Sequence, residues 1–409
     1  MDFGLVGLNL AHSYSKIIHE KIGLYNYNLY NLNLDELKHI LKLKKFKGLN
    51  ITMPYKREVI PFCDYLDEKA SSIGSVNTLK VTKEGFLCGY NTDYFGLKYT
   101  VDVSNISLKN KKVIILGSGG TSATAKVFAQ ESCAKEILVV SREGNLNYKN
   151  IYDHLNSDII INTTPVGMYP NNGQKLIDIS KFQNLSGVID VVYNPLYTAL
   201  VLDSQKLSIP CATGLSMLVA QAKAAAEIFS DSHLNNSIIQ KIIKELLLQI
   251  SNISLIGMPG CGKSTIGKLL AARTGKIFVD TDSEIEKCYG MSIAEIFKKY
   301  GEKEFRDAEK QVVNEVGKRS NLVISTGGGV VLDPENYLPL RQNGKIYRLK
   351  RDLNLLATNN RPLSKNLNEM SEIREPFYER FSSADFDNNA SPEILVNKII
   401  EDYLKNPMI

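Results

Sequence analysis

Tryptophan is absent from this 409-residue chain, and aromatic residues make up only 8% of it. No stretch approaches the roughly 20 consecutive apolar residues of a membrane-spanning helix, so we expect no membrane association. The first four residues lack the positive region and apolar core of a secretory signal. The six cysteines lie far apart, without a Cys-x-x-Cys pair or a metal-ligand spacing. These absences predict a reduced cytoplasmic protein with buried thiols.

A large excess of one charge is also missing. The chain has 49 Lys and Arg against 44 Asp and Glu, a net charge of +5 that is too mild to predict nucleic-acid binding. Its 44% hydrophobic and 23% charged residues are typical of globular proteins and exclude a largely disordered chain. The length predicts two or three domains. Arginine is scarce before residue 251, where only Arg57 and Arg142 occur. The later arginines suit binding of carboxylates and phosphates.

Apolar patterning predicts an α/β protein. Short strands at 3–7 and 49–52 and a hairpin over 79–88 alternate with an amphipathic helix at 35–43. From residue 111, apolar strands at 113–116, 137–140, 159–161 and 188–189 repeat with helix-like stretches between them, as in a nucleotide-binding parallel sheet. Helices are predicted at 214–229 and 237–250. The second helix runs into a strand at 253–256 without a flexible linker, so we expect a domain boundary near residue 251.

A glycine-rich turn follows the strand at 113–116. Between that strand and a helix, glycines let the backbone approach a pyrophosphate, whose charge the helix N-terminus stabilises. Ser122 replaces the third glycine of the usual fingerprint, and a turn without a ligand stays an alternative. The candidate residues are Gly117, Ser118, Gly119, Gly120 and Thr121.

The next strand ends at Ser141 and Arg142, where a hydroxyl and a guanidinium suit the 2′-phosphate of NADP. Glu143 follows directly, and an acidic residue near this position favours NAD instead. An ordinary surface charge is the alternative for Arg142.

Lys56 and Asp93 are candidates for proton transfer. Lys56 comes just after a buried strand, which Pro54 prevents from continuing, and Asp93 lies near the start of a helix. Reduction of a carbonyl by hydride requires a proton at the new alkoxide, and a partly buried lysine with a carboxylate partner can supply it. From spacing alone the pairing of Lys56 with Asp93 is a guess, and a solvated surface charge is the usual interpretation of any one lysine.

A complete phosphate-binding loop follows the strand at 253–256 and precedes a helix at 265–273. In such a loop, backbone N–H groups hold the phosphates of ATP, Lys263 reaches the terminal ones, and the Ser264 hydroxyl meets Mg²⁺. The candidate nucleotide-binding residues are Gly257, Met258, Pro259, Gly260, Cys261, Gly262, Lys263, Ser264 and Thr265.

Acidic residues, arginines and glycines follow this loop. Of Asp280 and Asp282, one can help hold hydrated Mg²⁺ and the other can accept a proton from a substrate hydroxyl. An arginine in a closing lid stabilises the charge on a transferred phosphoryl group. For Glu309, a charge on an exposed helix surface stays an alternative. The remaining candidates are Arg306, Gly328, Gly329, Arg361 and Arg374.

Residues 1 to about 250 resemble a shikimate dehydrogenase. The resemblance lies in the segments at 11–15, 50–56, 75–78, 91–93, 117–123, 162–168, 190–195 and 214–221. It implies a substrate-binding domain of residues 1–100 and 214–250 and a Rossmann-type NADP-binding domain of residues 101–213. Lys16 departs from the family's usual proline, and Ser141-Arg142-Glu143 departs from its usual Asn-Arg-Thr.

The same resemblance implies roles for individual residues. Lys56 and Asp93 would form the catalytic pair, and Ser13 and Ser15 would bind the substrate carboxylate. A helix cap is the alternative for Ser13, and satisfied core polar groups are the alternative for Asn77 and Gln221. Thr52, Asn77 and Gln221 would hold ring hydroxyls, Tyr193 would lie close to the substrate, and Gly214 and Met217 would lie beside the nicotinamide.

Residues 251–409 resemble a shikimate kinase, with its motifs in the family's order. The resemblance implies a P-loop, nucleoside-monophosphate-kinase-like α/β domain with a parallel sheet. Only ten residues separate Leu363 from Arg374, a shorter lid than is usual in the family. The implied roles are Asp280 near Mg²⁺, Asp282 at the substrate hydroxyls, Arg306 and Arg374 at the carboxylate, Gly328 and Gly329 lining the pocket, and Arg361 near the γ-phosphate.

Together the two resemblances predict a bifunctional enzyme of aromatic amino-acid biosynthesis. It would reduce 3-dehydroshikimate with NADPH and phosphorylate the resulting shikimate with ATP and Mg²⁺. One alternative is a kinase fused to a shikimate-sensing module without catalysis, and another is a broader substrate range that includes quinate. We expect small-molecule substrates and neither nucleic acid nor membrane as partners; the sequence leaves the oligomeric state open.

Overall fold

The computed structural model describes residues 2–356 and 367–405. Arg361, one of the candidate residues, lies outside this range. The chain forms two compact units, each made of segments that are not contiguous in sequence. The first contains the described residues up to Met168 together with Gln174–Tyr193 and Leu200–Leu246, and the second contains Tyr169–Gly173, Asn194–Ala199 and the described residues from Leu247 onward.

A six-stranded mixed sheet opens the first unit, in the order β2-β1-β3-β5-β6-β4. β3 is buried along its whole length and pairs with β1 in parallel and β5 in antiparallel orientation. Its carboxyl end is therefore central, where a following side chain can reach a site. The strands are β1 Phe3–Gly7, β2 Asn28–Asn31, β3 Gly48–Ile51, β4 Tyr65–Leu66, β5 Thr78–Val81 and β6 Leu87–Tyr90.

Helices flank this sheet, and local sequence explains their ends. At α2 the Asn33 side chain accepts bonds from the backbone amides of Asp35 and Glu36, while the Glu36 carboxylate accepts a bond from the Asn33 backbone amide. α4 and α7 approach closely because Gly96 has no side chain; a β-carbon there would lie 2.7 Å from the Met217 carbonyl oxygen. The helices are α1 Ser15–Ile22, α2 Leu34–Leu43, α3 Glu68–Ile73, α4 Thr92–Ser104 and, later in the chain, α7 Gly214–Ser230 and α8 Ser237–Ile250.

A five-stranded parallel sheet follows, in the order β11-β10-β9-β7-β8. β-branched and leucine side chains fill its central strands, as expected for a sheet covered on both faces. The parallel α/β sheet predicted from the sequence is confirmed here. Its elements are β7 Lys112–Leu116, α5 Gly120–Glu131, β8 Glu136–Val140, β9 Ile159–Asn162, β10 Gly187–Asp190, α6 Ala199–Lys206 and β11 Cys211–Ala212.

The second unit contains another parallel sheet, in the order β13-β14-β12-β15-β16. The fully buried β12 lies at its centre and leads directly into the phosphate-binding loop. α11 contains a break at Gly301, which has a φ of 86°. The elements are β12 Asn252–Ile256, α9 Lys263–Thr274, β13 Ile277–Asp280, α10 Thr281–Tyr289, α11 Ile293–Lys318, β14 Leu322–Ser325, α12 Tyr337–Arg341, β15 Gly344–Lys350, α13 Leu367–Phe381, β16 Ala384–Asp387 and α14 Pro392–Lys405.

The cysteines correct one expectation from the sequence. All six are free thiols, as predicted, but only Cys261 is buried. Cys133 and Cys288 are exposed, and the other three are half-buried. Among the described residues, no helix is both long enough and apolar enough to cross a membrane.

Candidate active sites

The candidate proton-transfer residues of the first unit form an ion pair. Lys56 follows β3, Asp93 lies in the first turn of α4, and the Lys56 Nζ and Asp93 Oδ2 atoms are 2.6 Å apart. Their side chains are only 15% and 9% exposed. The other carboxylate oxygen of Asp93 accepts a bond from Asn77 Nδ2 at 2.9 Å. Both charges are thus compensated within the site.

Asn77 joins this pair to the surrounding polar groups. Its Oδ1 accepts a bond from the Thr92 amide at 2.7 Å, and its Nδ2 also donates to Thr92 Oγ1 at 3.0 Å. Thr92 Oγ1 donates in turn to Gln221 Oε1 at 3.5 Å. Asn77 is therefore a buried residue whose side-chain hydrogen bonds are satisfied, and one of these bonds is to Asp93. Sequence reasoning missed Thr92, although it lies between Asn91 and Asp93 in a segment already singled out.

Ser13, Ser15 and Tyr193 form a cluster of hydroxyl groups. The two serine Oγ atoms are 3.1 Å apart, and the Tyr193 side chain hydrogen-bonds to Ser13. Burial raises the pKa of the Tyr193 hydroxyl, and the hydrogen bond with Ser13 opposes this shift. Ser13 Oγ also accepts a bond from the Ser15 amide at 3.2 Å, although Tyr14, not Ser13, is the N-cap residue of α1. The cluster offers several donors to an anionic group.

The glycine turn after β7 reaches the Lys56 site. Gly117 has a φ of 109°, and a β-carbon on Gly119 would find open space. A β-carbon on Gly120, where α5 begins, would lie 2.7 Å from Ser75 Oγ and 3.5 Å from Lys56 Cδ. Ser122, at the place of the third glycine, is buried and donates to the Gly117 carbonyl at 2.7 Å. The turn can therefore hold a pyrophosphate next to Lys56.

Residues at the end of β8 lie beside this glycine turn. Gly117 and Ser141 are adjacent because the Gly117 amide donates to the Val140 carbonyl at 2.8 Å. Arg142 and Glu143 are exposed, and neither forms an ion pair within the described part of the chain. The remaining candidates lie at the ends of other elements. Gly214 and Met217 are in the first turn of α7, and Thr52 directly follows β3. Ser118 lies in the glycine turn, and Thr121 lies in the first turn of α5.

In the second unit, the phosphate-binding loop curls around the Lys263 side chain. Three glycines with positive φ shape it: Gly257 at 144°, Gly260 at 83° and Gly262 at 95°. Lys263 Nζ donates to the carbonyls of Gly257 at 2.9 Å and Met258 at 3.1 Å. Lys263 begins α9, so the loop presents a lysine and a helix N-terminus together, which is an arrangement suited to phosphate.

Ser264 and Asp280 supply neighbouring oxygen atoms below this loop. The Ser264 hydroxyl donates to Asp280 Oδ2 at 2.7 Å, and Ser325 Oγ lies 3.2 Å from Ser264 Oγ. The described residues contain no group of three or more His, Cys, Asp or Glu arranged for a metal. A hydroxyl and a single carboxylate nevertheless fit Mg²⁺, which keeps several waters and takes few protein ligands.

The half-buried Asp282 and the buried Glu309 each point one carboxylate oxygen toward Gly327. Asp282 Oδ1 and Glu309 Oε1 have no hydrogen-bond partner among the described atoms. Burial, with the nearby Asp280, raises the pKa of Asp282 to about 6. Burial also raises the pKa of Glu309, which Arg306 opposes from 2.7 Å. Glu309 is only 2% exposed, so the alternative of a surface charge is wrong.

Two arginines meet the glycine segment that follows β14. Arg374 donates to the Gly328 carbonyl at 3.0 Å, as does the Tyr378 hydroxyl at 2.6 Å. The Arg306 guanidinium lies against the Cα of Gly329, where any side chain would collide with it. Two guanidinium groups beside the backbone of Gly328 and Gly329 can bind a carboxylate.

Comparisons with known proteins agree with this division of chemistry. The family model for the shikimate dehydrogenase substrate binding domain matches residues 5–79, and the model for shikimate kinase matches residues 259–404. The chain is 33% identical over 265 residues to the shikimate dehydrogenase (NADP(+)) of Clostridium perfringens, covering 60% of this chain and 97% of that one.

Solved structures give the same result for the first unit. Shikimate dehydrogenase 1 from Peptoclostridium difficile is 34% identical with a TM-score of 0.57, covering 60% of this chain and 98% of that one. A chorismate mutase/shikimate 5-dehydrogenase fusion protein from Clostridium acetobutylicum is 35% identical with a TM-score of 0.56, covering 60% and 96%.

Proposed function

The chain belongs to the shikimate dehydrogenase family and carries a shikimate kinase domain, and we propose that it catalyses two consecutive reactions. The first is reduction of 3-dehydroshikimate to shikimate with NADPH. The second is phosphorylation of the shikimate 3-hydroxyl with ATP. We assign the first to residues 1–250 and the second to residues 251–409. The product of one reaction is the substrate of the other, which gives the fusion a chemical reason.

The reduction is supported chiefly by the Lys56–Asp93 pair beside Gly120. NADPH, when bound at the glycine turn, supplies the hydride. Lys56 gives a proton to the carbonyl oxygen as that oxygen becomes a hydroxyl, and Asp93 keeps Lys56 charged and oriented. Ser13, Ser15 and Tyr193 hold the substrate carboxylate. Thr52, Asn77 and Gln221 orient its ring hydroxyls, and Gly214 and Met217 line the nicotinamide pocket.

The phosphorylation is supported chiefly by the carboxylates below the P-loop. Asp282 accepts the proton of the attacking hydroxyl, and Lys263 neutralises charge on the phosphates. Ser264 and Asp280 are positioned to hold Mg²⁺, which would bring ATP oxygens and positive charge together. Arg306 and Arg374 bind the substrate carboxylate beside Gly328 and Gly329. Arg361, outside the described residues, is assigned to the γ-phosphate from its motif alone.

A coupled assay tests both halves on the full chain. Purified protein is given 3-dehydroshikimate, NADPH, ATP and Mg²⁺, and NADPH absorbance and shikimate 3-phosphate are followed together. Lys56→Ala should lower NADPH consumption by about 1000-fold while added shikimate is still phosphorylated. Lys263→Ala should accumulate shikimate, with phosphorylation reduced about 1000-fold. Phosphorylation of added shikimate without NADPH consumption by the wild type would favour a first unit that senses shikimate without catalysis. Faster oxidation of quinate than of shikimate would make quinate the substrate of the first unit.

A further inference from the structure

An arginine that no motif contains lies inside the sheet of the second unit. Arg348 occupies the middle of β15, between β12 and β16, and is 5% exposed. Arginine is almost never fully buried in a protein unless it is paired. Apolar replacement of a buried ion pair is often neutral or stabilising, so stability alone is a weak reason for Arg348 to be there.

The Arg348 guanidinium connects two neighbouring elements. It forms ion pairs with Glu375 on α13 and, at 3.6 Å, with Asp385, its register partner on β16. Its plane also lies over the Tyr378 ring, 5.1 Å from the centroid. The hydrogen bond from Arg348, and less so its charge, lowers the pKa of Glu375. α13 is thus held to the sheet through two side chains that are three residues apart on one helical face.

These same side chains flank Arg374. Arg374 and Tyr378 are four residues apart, and both donate to the Gly328 carbonyl. Pro376 lies inside this turn of α13 and removes a backbone donor, so the helix is least supported by its own hydrogen bonds near Arg374. A change in the rotation of α13 would move Arg374 relative to Gly328 and Gly329.

We propose that Arg348 is a positioning residue for the phosphorylation. It fixes α13 so that Arg374 meets the substrate carboxylate, and it touches neither substrate nor nucleotide. The inference rests on the proposed kinase function and adds a determinant of substrate affinity.

The test uses the full-length chain and separates affinity for the two substrates. Arg348→Met should raise the KM for shikimate about 10-fold and change the KM for ATP less than about twofold. Lys350→Met is the matched control, because Lys350 lies on the same strand and pairs with Asp385 at 2.7 Å. Its charge lowers the pKa of Glu375 less than Arg348 does, and among the described residues it forms no ion pair with α13. The control substitution should leave both KM values unchanged. NADPH-dependent reduction in each preparation reports that the first unit is intact, and cooperative thermal unfolding of the second unit reports that the substituted unit is folded.

A double-substitution cycle tests whether Arg348 acts through Arg374. In an Arg374→Lys background, Arg348→Met should add less than about twofold to the KM for shikimate. Fully multiplicative effects, equal increases in both KM values, or an unchanged KM in folded Arg348→Met would overturn the proposal. If Arg348→Met does not fold, Glu375→Gln is used instead, because it removes the charge partner of Arg348 at a half-exposed position. It should raise the KM for shikimate about threefold. An unchanged KM there overturns the proposal as well. If the wild-type chain does not phosphorylate shikimate, the proposed kinase function is wrong, and this result is distinct from a failure of the Arg348 proposal.

Discussion

The two candidate active sites handle buried charge in opposite ways. In the first unit, Asp93 is bonded through both carboxylate oxygens, to Lys56 and to Asn77. In the second unit, Asp282 and Glu309 each keep one buried oxygen without a partner among the described residues. The pKa of Asp282 is raised to about 6, chiefly by burial. In the first site the side chains satisfy one another's hydrogen bonds. In the second, two carboxylate oxygens have no partner among the described residues and can bind a ligand.

This contrast follows from the two reactions. Delivery of a proton to a new hydroxyl requires a charged donor that is held in place before the substrate arrives, which an internal ion pair provides. Acceptance of a proton from a hydroxyl requires a carboxylate with a free oxygen, and burial makes it a better base. The second arrangement costs stability, since a charged oxygen without a partner is unfavourable in a buried site.

The largest expected effect comes from removal of one charge in each site. Asp282→Asn should reduce phosphorylation about 1000-fold and stabilise the second unit by about 1–2 kcal/mol at pH 7, because it relieves an unfavourable charge. The raised pKa means that this cost is present above pH 6 and vanishes below about pH 4. Calorimetry of the full chain at pH 7 and pH 4 measures it.

The matched substitution in the first unit has the opposite sign. Asp93→Asn should also reduce NADPH consumption, but it leaves Lys56 without its charge partner and should destabilise that unit by about 1–3 kcal/mol. Stabilisation by both substitutions, or by neither, would contradict the comparison.

A smaller effect is expected from the residue that completes the first site. Asn77→Ala removes the donor that orients Asp93 and should lower kcat/KM for 3-dehydroshikimate about 100-fold. Phosphorylation by the same preparation serves as the internal control and should not change. A loss below about threefold would show that Asn77 is only a core residue.

The smallest expected effect concerns the cofactor end of the first unit, where Arg142 and Glu143 stand side by side. The Glu143 carboxylate repels a 2′-phosphate, so Glu143→Gln should raise the kcat/KM ratio of NADPH to NADH about fivefold. The dissociation constant of 2′,5′-ADP should fall by the same factor in calorimetric titrations. Glu136→Gln at the other end of β8 is the control and should leave the ratio unchanged.

The sequence predicted most elements, because periodicity and loop motifs are local signals. The strand at 3–7 and the helix at 237–250 have the predicted bounds, and the predicted strand at 49–52 is displaced by one residue. The helix at 265–273 begins two residues earlier, at Lys263, because the P-loop glycine caps it directly. The fold class was predictable for the same reason.

The remaining features depend on contacts distant in sequence. Nothing near Arg348 indicates that Glu375 and Asp385 meet it. The burial of Glu309 arises from the packing of α11 against the glycine segment after β14, which its own helix does not reveal. The contrast between the two sites was likewise not predictable, since a motif identifies a carboxylate but not how many of its oxygens are bonded.

The contrast is tested most directly by measuring both half-reactions of one full-length preparation from pH 5 to pH 8. We expect kcat/KM for shikimate, at excess Mg²⁺ and saturating ATP, to fall about tenfold per pH unit below a break near pH 6. Glu309→Gln should move this break to lower pH, which separates Asp282 from the ionisation of ATP. The pH profile for reduction of 3-dehydroshikimate should be the same in the wild type and in Glu309→Gln. A phosphorylation profile that is flat across pH 6, or a break that Glu309→Gln leaves in place, would contradict the account.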